Sequence, residues 1–154
     1  MKIISSLLII IILAGFLACR EKSAGPSEKG PGSTNTRILD SIKKLDSLSL
    51  SLRVQNDKLS VVYAKTALTL ARSSDSPQAL IKAYNAMGNA YSTRHQDSSY
   101  YYYNLGLKLS DSINEVKEKP YLLYDVAMIY LNTFNYKTAM ILLDSCIEIG
   151  RAHV

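Results

Sequence analysis

The chain has 154 residues, of which 18 are Lys or Arg and 13 are Asp or Glu, giving a formal net charge of +5. Two basic residues, Lys2 and Arg151, lie in terminal segments that we expect to stay outside the folded domain, and without them the net charge is about +3. No stripe of basic residues interleaved with aromatics runs along the chain, so we expect no nucleic-acid partner. The two cysteines, Cys19 and Cys146, are too few for a disulfide framework.

The first 18 residues have the layout of a signal peptide. Lys2 supplies a positive charge, residues 7–17 are almost wholly apolar, and the small residue Ala18 follows them. This apolar run is too short for a transmembrane helix, which needs about 20 such residues. We therefore predict that residues 1–18 form a signal helix.

The tetrad Phe16–Cys19 reads FLAC and resembles the lipobox of bacterial lipoproteins, although that family usually has Leu at the first position. The resemblance implies cleavage before Cys19 and lipidation of this cysteine, where several acyl chains together would anchor the protein stably. An ordinary secretory signal or an uncleaved anchor is the alternative. Residues 20–35 are rich in Gly, Ser, Pro and charge, so residues 19–35 are predicted to be the lipidated cysteine and a flexible linker.

The rest of the chain carries helical periodicity in a repeating pattern. Six helices are predicted, and their expected limits are about Thr36–Leu52, Asp57–Arg72, Ser76–Thr93, Asp97–Ile113, Pro120–Asn132 and from Asn135 onward. Ala67, Gly106 and Cys146 occupy matching small-residue positions at intervals of 39 and 40 residues. A fixed period of this size is typical of solenoids, in which each helical hairpin buries its apolar face against its neighbours.

Two of these hairpins resemble the tetratricopeptide repeat (TPR) family. Their first helices read Tyr84-x-x-Met-Gly88-x-x-Tyr91 and Leu-x-x-Val-Ala127-x-x-Tyr130, and Ala139-x-x-x-Leu continues the second one. The resemblance covers residues 36–148, is weakest in the first hairpin, and has a period longer than the family's usual 34. It implies an all-α, right-handed solenoid of about three hairpins, with structural repeat positions at Tyr84, Gly88, Tyr91, Ala127, Tyr130 and Ala139.

In the TPR family the first helix of each hairpin lines a concave binding groove. By register, the resemblance implies eight groove residues: Lys82, Asn85, Asn89, Ser92, Tyr121, Tyr124, Met128 and Leu131. Lys82, Asn85 and Asn89 share one helix face and resemble the clamps that bind a peptide backbone or carboxylate in this family. A solvated helix face is the alternative interpretation.

No pattern in the sequence predicts catalysis, and we expect neither a metal site nor a cofactor. Ser41-x-x-Lys44 fits the first motif of penicillin-interacting enzymes, but their S-D-N and K-T-G motifs do not occur. His95 has no second histidine outside the last residues to complete a site. The run Tyr100–Tyr103 covers every face of a helix, and either core packing or an exposed contact surface accounts for it.

The last six residues, Ile149–Val154, spell IGRAHV, which resembles the translation of a common sequencing-library adapter. We interpret residues 149–154 as non-native, so that the natural chain would continue past residue 148; a genuine short tail is the alternative.

These observations together predict a membrane-tethered TPR lipoprotein of the cell envelope that faces the periplasm or the cell exterior. It would be a non-catalytic module that binds a protein or peptide partner. The alternative is the extracytoplasmic TPR sensor segment of a truncated signalling receptor, either a histidine kinase or a helix-turn-helix regulator.

Overall fold

The computed structural model describes residues 31–152, with side chains from residue 34 onward. No β-strand occurs in this range, which confirms the predicted all-α class. The helices of the described residues are α1 (Pro31–Leu52), α2 (Asp57–Arg72), α3 (Pro77–Tyr91), α4 (Gln96–Ser112), α5 (Lys119–Asn132) and α6 (Tyr136–Arg151). The predicted signal helix, Cys19 and the linker up to residue 30 lie outside the described residues, as do His153 and Val154.

The first helix begins earlier than the sequence predicted. It starts at Pro31 and not at Thr36, so residues 31–35 of the predicted linker are helical. Proline is compatible with a first turn because the N–H that it lacks has no intrahelical acceptor there. Ile38 and Leu39 pack against the core, and extending a helix that is already held in place adds one hydrogen bond for each residue ordered.

The other helix limits lie within a few residues of the predicted ones, and side chains cap three of the starts. In each case the side-chain oxygen accepts the backbone N–H three residues ahead, as seen at Asn56, Ser76 and Asn135. His95 precedes α4 without such a bond. The last helix, α6, includes three residues of the predicted non-native tail. Their helical conformation does not test whether they belong to the natural chain.

The helices pack mainly against their neighbours in the chain. Contact is most extensive between α1 and α2, between α3 and α4, and between α5 and α6, so the described residues form three helical hairpins. α1 also packs against α3. One core cluster lies among α1, α2 and α3 and consists largely of alanine. A second cluster joins α3, α4 and α5 through Ile81, Tyr103, Leu122 and Val126.

One hydrogen bond recurs in the first two hairpins. The Ser60 hydroxyl on α2 donates to the backbone carbonyl of Ser49 on α1 at 2.8 Å. The Ser99 hydroxyl on α4 donates to the carbonyl of Gly88 on α3, also at 2.8 Å. Donors and acceptors are each 39 residues apart, which is the spacing found in the sequence. The same bond therefore closes both hairpins, including the first one, whose sequence resembles the family only weakly.

The sequence-predicted repeat positions are all at least partly buried. Gly88, Ala127 and Ala139 are buried, and Tyr84, Tyr91 and Tyr130 are partly buried. The Tyr91 ring stacks on Tyr102 of its own hairpin with 5.8 Å between ring centroids. The Tyr130 ring meets Tyr100 of the preceding hairpin edge-on at 6.0 Å. These rings fill the spaces between second helices and the first helices beside them.

The tyrosine run in α4 is divided between core and surface. Tyr103 is buried and Tyr102 is partly buried, whereas Tyr100 and Tyr101 are exposed. Core packing therefore accounts for Tyr103 and in part for Tyr102, whereas a contact role for Tyr100 and Tyr101 stays a prediction, because four consecutive residues of a helix point in all directions.

The helices α3 and α4 approach each other closely at Gly88. A Cβ atom at this position would overlap the ring of Tyr103, with even the distant Cζ atom only 2.8 Å away. The ring cannot move aside, because Tyr103 is 2 % exposed and its hydroxyl donates to the Asn89 side chain at 2.8 Å. Glycine is required here by packing.

We predict that Gly88→Ala destabilises the fold by about 1–3 kcal/mol, because the added methyl group overpacks the contact with Tyr103. Gly150→Ala is the matched control, since nothing lies within 4 Å of a Cβ at that helical position. It should leave the melting temperature unchanged or raise it slightly. Thermal melts followed by circular dichroism compare the two variants, and equal stability of Gly88→Ala and the parent would disprove the packing argument.

Candidate functional site

Two hollows follow one another along α3 and α5. The first, of about 350 Å³, is the Asp46 hollow; it is lined from α1, α3 and the start of α5 by Ile42, Lys43, Asp46, Lys82, Asn85, Glu118 and Tyr121. The second, of about 320 Å³, is the Asp125 hollow; its walls come from the α1–α2 turn, the end of α3, α4 and α5. These walls are Arg53, Ser92, Thr93, Tyr103, Tyr124, Asp125, Met128, Ile129 and Asn132. We call the two hollows together the groove.

Most of the sequence-predicted groove residues line these hollows. The six that do are Lys82, Asn85, Ser92, Tyr121, Tyr124 and Met128. Asn89 is buried, with 7 % of its surface exposed, and its side chain bonds inside the protein. Leu131 lines neither hollow and is partly buried. Residues of α3 and α5 that lie about 40 positions apart in the chain thus line the same hollows.

The polar residues that were expected to clamp a ligand are bonded to protein groups. The Lys82 ammonium forms an ion pair with the Glu118 carboxylate at the start of α5. The Asn89 amide nitrogen donates to the Asn85 side-chain oxygen at 3.3 Å, and the Tyr103 hydroxyl donates to the Asn89 oxygen at 2.8 Å. Lys82 therefore does not present an unpaired positive charge to the groove.

Sequence reasoning missed Asp46 and Asp125, two of the three carboxylates that line the groove. Asp46 lies 39 positions before Asn85 and so occupies the matching place in α1; extending the register to the first hairpin would have found it. Asp125 matches Ala86, which is buried, so the register would have predicted a core residue there. Only the packing of α5 beside the end of α3 exposes the Asp125 side chain to a hollow.

Asp46 is a poorly solvated carboxylate. Its Oδ1 atom is buried and has no hydrogen-bond partner among residues 31–152. Burial raises the pKa of Asp46 above its ordinary value, while the neighbouring Asn89 amide and the Lys82 ammonium lower it. A buried polar atom without a partner is rare in native proteins and marks a place where stability has been given up.

Asp125 is the second such group. Burial, followed by the negative charge of Asp46, raises the pKa of Asp125 to about 6, and only Arg53 opposes these effects. Within the described residues the ion pairs join Lys82 to Glu118, Arg94 to Asp57 and Lys119 to Asp111, so none involves Asp125. Its carboxylate thus lines the hollow with no direct positive partner.

The described part of the chain offers little support for other kinds of site. Across residues 31–152 no three His, Cys, Asp or Glu side chains come together in a way that could hold a metal ion. None of the helices in the same range is long and apolar enough to cross a membrane.

Comparison with protein-family models, with curated proteins and with solved structures found no match to this chain.

The raised pKa of Asp125 predicts that removing its charge stabilises the protein by an amount that depends on pH. Between pH 3.8 and about 6 the native carboxyl keeps a proton that the unfolded chain releases, so its contribution to stability falls as pH rises through this window. We expect Asp125→Asn to melt above the parent at neutral pH, and the difference to shrink near the lower end of the window.

Asp144 on α6 is exposed and provides the matched control for this measurement. Asp144→Asn should follow the parent at both ends of the pH window. Melting temperatures measured across this range test the prediction, and a Asp125→Asn variant that is less stable than the parent at neutral pH would contradict it.

Proposed function

We propose that residues 36–148 form a TPR-like solenoid whose groove binds an extended segment of a protein partner. Three consecutive hairpins, the recurring serine–carbonyl bond and the glycine contact at α3 support the repeat architecture. The first helices of successive hairpins, α1, α3 and α5, supply most of the groove, as they do in the TPR family.

The observation that carries this proposal is the exposure of large side chains on the groove walls. Tyr121 and Tyr124 are 63 % and 51 % exposed, and Met128 beside them is also exposed. These residues lie on one helix, at i, i+3 and i+7, so they form a continuous stripe along α5. Tyrosine and methionine are enriched where proteins bind other proteins, because they bury large area and tyrosine also offers a hydroxyl.

We further propose that the protein is a lipoprotein held at an envelope membrane, facing the periplasm or the cell exterior. The basic Lys2, the apolar run and the FLAC tetrad ending in Cys19 support this assignment. An anchored module of this kind has no need of catalytic groups, because its role is to hold a partner close to the membrane.

Removing the two groove tyrosines should abolish much of the binding. Peptides selected on the full chain, solubilised in detergent, from a random display library provide the probe. We expect the double variant Tyr121→Ala/Tyr124→Ala to bind the selected peptides at least about tenfold more weakly, since interface tyrosines each contribute on the order of 1 kcal/mol or more. Its stability should change by less than about 0.5 kcal/mol, because both rings are exposed.

Tyr136→Ala is the control for this experiment, because Tyr136 on α6 is 57 % exposed and lines neither hollow. It should bind the peptides as tightly as the parent does. Undiminished binding by the double variant, measured by fluorescence anisotropy, would place the binding surface elsewhere.

The proposed membrane anchor predicts a specific effect of one substitution. Cys19→Ala removes the thiol to which the lipobox resemblance assigns the diacylglyceryl group, so the precursor should stay unprocessed or leave the membrane fraction. Metabolic labelling with a radioactive fatty acid and mass measurement of the membrane fraction check this outcome. Labelling that persists in Cys19→Ala would contradict lipidation at this residue.

A further inference from the structure

The charges of the groove differ from those expected for a carboxylate clamp. The sequence resemblance implied that Lys82 would receive a backbone carbonyl or a carboxylate of the ligand. In the structure, however, the Lys82 ammonium is already neutralised by Glu118. Asp46 Oδ1 in the first hollow has no hydrogen-bond partner, and no ion pair within residues 31–152 involves Asp125 in the second.

The surroundings of Asp125 suit a long positively charged side chain. Tyr103, Tyr124, Met128 and Ile129 form apolar walls around the carboxylate, and the hollow measures about 320 Å³. Such walls can accept the methylene stem of a lysine or arginine while its charged end reaches Asp125. The exposed ring of Tyr124 adds a face on which a cation is held by its attraction to the aromatic electrons.

The negative charge of Asp46 also favours a positively charged group in the groove. The two carboxylates are close enough for the charge of Asp46 to raise the pKa of Asp125. A positive group bound between them would relieve this repulsion and the poor solvation of both groups. Arg53 lines the hollow but forms no ion pair with Asp125, and Lys43 on the Asp46 side is exposed to solvent, so neither carboxylate belongs to an ion pair among residues 31–152.

We propose that Asp125 is the recognition residue for a basic side chain, lysine or arginine, of the segment that occupies the groove. This assignment rests on the proposed peptide-binding function and makes it more specific. The basic side chain would enter the Asp125 hollow between Tyr103 and Tyr124. The backbone on either side of it would lie along the tyrosine stripe of α5.

Peptide selection on the full chain in detergent tests the proposal directly. Peptides selected on the parent should share a Lys or Arg at one position, and replacing it by Gln should weaken binding to the parent about tenfold, as for a partly desolvated charge pair. On Asp125→Asn the Lys and Gln peptides should bind equally well. On Asp144→Asn, an exposed acidic residue outside the groove, the tenfold difference should remain.

The outcomes separate this inference from the function on which it rests. If selected peptides need Tyr121 and Tyr124 but bind equally with Lys or Gln, the groove function stands and the role of Asp125 is wrong. If no peptide is selected, both are wrong. If the selected peptides share an acidic residue, and Arg53→Gln but not Asp125→Asn weakens their binding, the groove recognises a carboxylate and the inference is overturned.

Discussion

The contact between Tyr103 and Gly88 governs both the packing of this protein and the shape of its groove. The tyrosine ring lies directly on the backbone of α3, where any side chain would overlap it. The same ring joins α3 and α4 to α5 through Leu122 and Val126. Its hydroxyl donates to Asn89, and the side chain also forms a wall of the Asp125 hollow. One residue thus connects the second core cluster with the candidate site.

Burial keeps the Tyr103 hydroxyl protonated well into the alkaline range. Burial, followed by the charge of Asp125, raises the pKa of the Tyr103 hydroxyl far above its ordinary value, so the hydroxyl remains a hydrogen-bond donor. Its bond orients Asn89, whose amide in turn donates to Asn85 at the edge of the Asp46 hollow. A buried chain of this kind fixes side-chain positions, because breaking one bond leaves a buried polar atom without a partner.

The rest of the architecture depends on small residues. Ala64, Ala67 and Ala71 on α2 face Ala79, Ala83 and other small residues of α3, and all of them are buried. Small side chains let helix backbones approach closely, so the first cluster is thin, and each buried alanine contributes little apolar area. Stability must come from many modest contacts between neighbouring helices. Two poorly solvated carboxylates in such a thin structure are a substantial cost, which agrees with a role in binding.

The sequence by itself determined the all-α class, the number of helices in the described range and most of their limits. Helical periodicity and capping side chains such as Ser76 and Asn135 are local signals that persist in any packing. The register of the TPR resemblance also placed Lys82, Tyr121 and Tyr124 at positions that line the two hollows. The start of α1 was missed, since composition does not reveal how far a stable helix extends into a polar segment.

Only the tertiary structure decided which of the groove residues are already bonded to other protein groups. The pairing of Lys82 with Glu118 joins residues 36 positions apart, and the placement of Asp125 beside Arg53 joins more distant ones. Asn89 has the spacing of a surface residue but is buried, because Tyr103 of the next helix lies over Gly88 beside it. Partners, burial and the raised pKa of Asp125 all depend on groups from other helices. Spacing within one helix carries no information about them.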